Sequence, residues 1–165
     1  MIFITLGSQK FQFNRLLKKI DELIVDGVIN ESVYAQIGYS DYKPLHFKYS
    51  EFMDRDKFSG VMRKSDLVIT HGGTGAIITA VKANKKVIAV ARLAKYGEHV
   101  DDHQLQLISQ FEDLNLIYAC KSCDEINMAL KTIRNKKFSK YISNTDKYIK
   151  SIDKYIEVNF MKKEV

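Results

Sequence analysis

Six short apolar-rich runs constrain this chain more than any other feature. They fall at 2–6 (IFITL), 33–37 (VYAQI), 45–49 (LHFKY), 66–70 (DLVIT), 86–90 (KVIAV) and 116–119 (LIYA). Several are continuously apolar rather than alternating, as expected of strands covered on both faces. Between most of them, apolar residues repeat at helical spacing. Phe13, Leu16, Leu17, Ile20, Leu23 and Ile24 form one set, Leu105, Leu107, Ile108 and Phe111 a second, and Ile126, Met128, Ala129, Leu130 and Ile133 a third. Strands that alternate with helices imply right-handed crossovers, so the expected fold is α/β, a doubly wound, mostly parallel Rossmann-like sheet. No repeat or linker-like boundary interrupts it, and 165 residues suit one domain.

In such a sheet, ligands bind beyond the carboxyl ends of the strands. Three loops leave those ends carrying unusual residues. Gly7-Ser8-Gln9 follows the first strand, His71-Gly72-Gly73-Thr74-Gly75 the fourth, and the polar stretch from Arg92 to Gln104 the fifth. The glycine turn leads into an expected helix at 76–83. Glycine lets backbone approach a ligand closely or adopt positive φ, and a helix start offers free N–H groups and a favourable dipole to an anion. The turn lacks the Lys-Ser/Thr of a P-loop and is not the dinucleotide fingerprint of a first strand. Diphosphate is the natural guest, and Ser8 is placed to donate a hydrogen bond to it.

The third loop packs Glu98, His99, Asp101, Asp102 and His103 within six residues, followed by Gln104. These residue types serve either a metal ion or the hydroxyls of a sugar. His99 and His103 are four apart, as helical ligand pairs are. Asp101, with Gln104 three positions on, reads instead as a helix N-cap that leaves His99 outside the helix. Polyol recognition is the reading carried forward, and no metal is expected.

The remaining features exclude more than they assign. No apolar run approaches the roughly 18 residues of a membrane span, and the N-terminus lacks a signal-peptide pattern, so a cytoplasmic location is expected. Net charge is +6, and residues 131–165 hold ten Lys/Arg against four Asp/Glu, so the surplus lies in the tail. Tyr141, Ile142, Tyr148, Ile149, Ile152, Tyr155, Ile156 and Phe160 there predict one amphipathic helix over 139–160, with lysines on its other face. The expected division is therefore a ligand-binding domain at 1–138 and a basic C-terminal helix at 139–165. No RNA-recognition signature accompanies the basic tail, and nucleic acid is not an expected partner. Cys120 and Cys123 form a lone CxxC, too few ligands for a zinc site, with Ser122 and Glu125 reading as a helix cap.

ITLGSQ at the start, HGGTG after DLVIT, and Asp102-His103-Gln104 together resemble the donor-binding half of a GT-B glycosyltransferase. The group is the lipid II synthase (MurG) superfamily, the C-terminal domain of glycosyltransferase family 28. YGEHVDDHQ, at the heart of the stretch from Lys95 to Gln106, is most similar to the small PssE-type subunits of bacterial capsule and exopolysaccharide synthesis. A fainter resemblance is to the eukaryotic soluble subunit that adds the second N-acetylglucosamine to a dolichol-linked precursor.

The resemblance implies that Gly7, Ser8 and Gln9, with His71, Gly72, Gly73, Thr74 and Gly75, hold the diphosphate of a UDP-sugar. Glu98, His99, Asp102, His103 and Gln104 would meet the sugar. It implies a substrate rather than a cofactor, with galactose the expected sugar and a β-1,4 linkage the expected product. A PssD-type, membrane-associated partner would supply the lipid-linked acceptor and the catalytic base, and would hold the chain at the inner face of the membrane. Relatives commonly place a ribose-binding glutamate where this chain has Thr79. The other readings are an N-acetylglucosamine transferase subunit and a nucleotide-sugar-binding module without chemistry of its own.

Overall fold

A computed structural model describes residues 1–161. Six strands form one sheet: β1 (Ile2–Thr5), β2 (Val33–Gln36), β3 (Lys48–Ser50), β4 (Leu67–His71), β5 (Lys86–Val90) and β6 (Tyr118–Cys120). Their spatial order is β3-β2-β1-β4-β5-β6 and every pairing is parallel. The order reverses direction between β1 and β4, which is the switch point where doubly wound sheets open a crevice. The expected Rossmann-like sheet is present.

Strand pleating divides the core into two layers. Ile2, Ile4, Ile69, Ile88 and Val90 point to one face, where α1 (Asn14–Val25) and α5 (Ile126–Ile133) cover them. Phe3, Val68, Val87 and Ala89 point to the other, beneath α2 (Arg55–Lys64), α3 (Thr74–Lys82) and α4 (His103–Asp113). The sequence pattern did not single out α2, whose apolar content is low. Its start is nonetheless capped, with Asp54 accepting the Lys57 N–H at 2.8 Å.

β4 begins one residue later than expected, and two further strands begin two or three residues late, each for a local reason. The Leu45 and His46 N–H groups donate to the buried Asp21 carboxylate, so the ladder of β3 starts only at Lys48. The Leu116 N–H closes the end of α4 on the Phe111 carbonyl, with Asn115 left-handed at φ 53°, so β6 starts at Tyr118. Cys120 and Cys123 are free and buried. Burial pushes both thiols well above the ordinary range, Cys123 to about 12, so neither is a nucleophile at neutral pH. Ser122 caps the following turn by accepting the Asp124 N–H.

The tail differs from one helix over 139–160. Residues 139–144 run as an irregular strap, with the Ser139 N–H on the Asn115 carbonyl and Tyr141 packed against the α2–α3–α4 layer. α6 (Thr145–Ile156) follows, then a wider helical turn over Glu157–Met161. α6 buries no residue, and Tyr148, Ile149, Ile152, Tyr155 and Phe160 are all at least half exposed. The apolar stripe is real but unpartnered. Removing residues 145–165 should therefore leave thermal stability nearly unchanged. A chain cut after Phe138 should lose about 1 kcal/mol or more with Tyr141. Urea denaturation of the two truncations checks the difference.

Candidate functional site

The switch point carries a pocket of about 430 Å³ between the loops after β1 and β4 and the start of α4. The α3 helix begins on its wall with Gly73 at the N-cap, and glycine has no side chain to satisfy the first turn. The N–H groups of Thr74, Gly75 and Ala76 have no partner among the described residues. Three free amides at the positive end of a helix dipole are suited to an anion without the help of a cation.

The glycines of the turn have separate roles, and none of the three has positive φ. Gly75 faces open space, since nothing lies within 4 Å of where a Cβ would stand. At Gly73 a Cβ would fall 2.3 Å from His71 Nε2, so this glycine makes room for the imidazole. Gly72 is not in the pocket wall: it is buried against α4, where a Cβ would meet Gln104 Cβ at 2.9 Å. Its N–H is already spent on Gln104 Oε1, so the expected phosphate role of Gly72 is withdrawn. Across the pocket, Gly7 does adopt positive φ (73°), and a Cβ there would strike the same imidazole at 2.7 Å.

His71 is the last residue of β4 and sits between those two glycines. Burial, the nearby Arg92 charge and His99 hold its pKa down to about 4, against a hydrogen bond to the Thr5 carbonyl that favours the proton. The ring is therefore neutral at pH 7. The Thr5 carbonyl can only accept, which assigns the proton to Nδ1 and leaves Nε2 as an acceptor on the pocket side.

Ser8, Gln9, Thr74, His99 and His103 also line the pocket, as expected. Gln104 lines it too and is 3% exposed; its Oε1 accepts from Gly72 N at 3.2 Å and Arg92 N at 3.0 Å. That leaves Nε2 as the only Gln104 group free for a ligand.

Two expected sugar contacts lie elsewhere. Glu98 is wholly buried behind the loop, its oxygens taken by Arg15 Nε (3.1 Å), Arg15 Nη2 (2.9 Å) and Leu93 N (3.0 Å). Asp102 closes the same loop by accepting the Ala94 N–H at 2.7 Å, and is outside the pocket wall. Both are frame residues because a loop this polar must satisfy its own backbone. α4 starts at His103, with Asp102 at the N-cap; Asp101 accepts the His103 N–H, and His99 is outside the helix as expected.

Arg92 is also structural. It is wholly buried and donates to the Leu6 and Phe11 carbonyls, fixing the loop after β1. Its Nε and Nη1 have no hydrogen-bond partner among the described residues, and its guanidinium lies 5.6 Å from the Phe13 ring centroid. Thr79 is exposed and bonds back to the Gly75 carbonyl at 2.7 Å, so it does not stand in for a ribose-binding carboxylate. Leu107 and Ala76 complete the wall and were not foreseen; the signal for Leu107 was its place one turn after His103 on α4. A larger crevice of about 560 Å³ lies beyond the 93–98 loop, against Arg15, Lys18 and Lys95. It lacks the free helix start, and the smaller pocket is the better candidate.

Residues 1–158 match the model of the glycosyltransferase family 28 C-terminal domain. The chain belongs to that family. Among its relatives is the UDP-N-acetylglucosamine transferase subunit ALG13 of Candida glabrata, 32% identical over 72% of this chain and 58% of that protein. The same subunit of Candida albicans is 31% identical over 62% of this chain and 31% of that protein. The matches thus span less than two thirds of these relatives. Acinetobacter baumannii MurG shares the fold with a TM-score of 0.56 at 16% identity, over 81% of this chain and 41% of that structure.

For this family 28 domain, the neutral His71 sets a pH signature. Its folded pKa of about 4 lies below the unfolded value near 6.5. Between those values the unfolded chain takes a proton that the native site refuses, so the contribution is full above pH 6.5 and is lost as pH falls toward 4. From pH 7 to about pH 4.5, the wild type should lose about 2–3 kcal/mol more stability than His71→Gln. Urea midpoints of both proteins at the two pH values test this.

Proposed function

We propose that this chain is the donor-binding subunit of a two-chain glycosyltransferase that takes N-acetylglucosamine from its UDP conjugate. The observation that carries the reading is the uncapped α3 start facing Gly7, Ser8 and His71 across the switch-point pocket. The Thr74, Gly75 and Ala76 amides would hold the diphosphate, with Ser8 donating from the opposite loop. His71 Nε2, an acceptor, would take a ligand hydroxyl, and Gln104 Nε2 would donate to the sugar. Breakage of the sugar–phosphate bond builds negative charge on UDP, and amides already aimed there stabilise that charge as it develops.

The curated relatives favour N-acetylglucosamine over the expected galactose, and they give no support to a capsule role. Each carries "subunit" in its name, in keeping with a partner. No carboxylate lines the pocket, and a general base for the acceptor hydroxyl would come from that partner. The partner would also bring the lipid-linked acceptor and hold the chain at the membrane surface. The described residues include no helix long and apolar enough to cross a membrane.

Calorimetric titration of the isolated chain in EDTA tests the donor site. UDP-N-acetylglucosamine should bind without added metal and more tightly than UDP-galactose; the reverse order would overturn the sugar assignment. Gly75→Val has room for its side chain and should stay folded by circular dichroism, yet bind about tenfold or more weakly, because the branched side chain crowds the amides. Full affinity in folded Gly75→Val would remove the phosphate site from α3.

A further inference from the structure

We propose that His99, Asp101 and His103 form a site for a borderline divalent transition metal of the Zn²⁺ class, at the rim of the nucleotide pocket. The inference stands on this cluster alone and does not rest on the function proposed above.

One donor atom from each residue lies within 4.8 Å of the other two. His99 Nδ1 is 3.4 Å from Asp101 Oδ1, and the same oxygen touches His103 Nδ1. Ligands of a tetrahedral ion with bonds of about 2.0–2.1 Å stand about 3.3 Å apart, so the three close onto one ion if the rings turn inward and His99 Nδ1 gives up the Asp101 N–H it now accepts. Two imidazoles and one carboxylate suit Zn²⁺, Co²⁺ or Ni²⁺ rather than the all-oxygen preference of Mg²⁺ or Ca²⁺. Three protein ligands leave a position for water or a ligand oxygen.

The cluster is also held in place. The His99 ring packs on Phe11 with centroids 4.9 Å apart and its side chain is only 8% exposed. Asp101 is fixed by the His103 N–H at 3.1 Å at the first turn of α4. The sequence reads the loop as polyol-binding because a helix cap at Asp101 leaves His99 outside the helix. The fold brings it back, since the His99 and His103 rings meet with centroids 4.7 Å apart. His46, by contrast, pairs with Asp21 and joins no group of three among the described residues.

The test uses the untagged chain, stripped with EDTA and dialysed, with no nucleotide present. Zn²⁺ is titrated by calorimetry and Co²⁺ by its visible absorption. One equivalent of each should bind, and Co²⁺ should develop the intense bands of a low-coordinate nitrogen and oxygen site. His99→Ala and His103→Ala should each weaken binding by about tenfold or more, with circular dichroism confirming the fold, while His46→Ala leaves it intact. Unchanged binding in His99→Ala, loss in His46→Ala, or no stoichiometric binding in the wild type would each overturn the site. Since nucleotide is absent, those results leave the donor-site reading untouched.

Discussion

One side-chain oxygen ties the site together. Gln104 Oε1 accepts the Gly72 N–H beyond β4 and the Arg92 N–H beyond β5, so the start of α4 is bonded to the ends of both neighbouring strands. These are buried amides that would otherwise be unpaired, at a cost of about 1–3 kcal/mol for each. Arg92, held at its own N–H by Gln104, reaches across to the Leu6 and Phe11 carbonyls and fixes the loop after β1. Three loops from three strands thus share one hydrogen-bonded frame. The pocket is the space that frame leaves open.

The frame explains why the polar loop after β5 is so dense in ionisable residues. Glu98 anchors Arg15 and the Leu93 N–H, and Asp102 anchors Ala94. Both carboxylates are spent on the loop's own frame, and His99, His103 and Gln104 are the loop residues on the pocket side. Apart from one 3-10 turn at Ala94–Tyr96 the loop has no regular structure, so it carries many backbone donors, and its own acidic residues satisfy several of them.

That division marks how far the sequence could be read. The sheet was legible because continuous apolar runs and helical periodicity are local signals that the parallel fold leaves intact. Strand starts were less so: Asp21 withdraws the backbone of 45–46 from the ladder through contacts more than twenty residues away. At the site, the loops were legible from their glycines and polar residues, but the separate tasks were not. Gly72, Gly73 and Gly75 look alike in sequence; only the fold shows one packed on α4, one clearing the imidazole and one open to solvent. Glu98 and Asp102 read as ligand groups because nothing in the spacing reveals Arg15 or the Ala94 N–H waiting for them.

Among the residues that line the pocket there is no lysine or arginine, and its central histidine is neutral. An anion held there would be gripped chiefly by amide dipoles that act over the length of a hydrogen bond. Mobile ions screen charges across about 10 Å at 0.1 M salt, but they do little to donors already in contact with their guest. Lys147, Lys150 and Lys154 on α6 lie exposed to water and are subject to that screening in full. Rising ionic strength should therefore act unequally on the molecule, loosening whatever the lysines attract while changing little at a pocket whose donors are neutral amides.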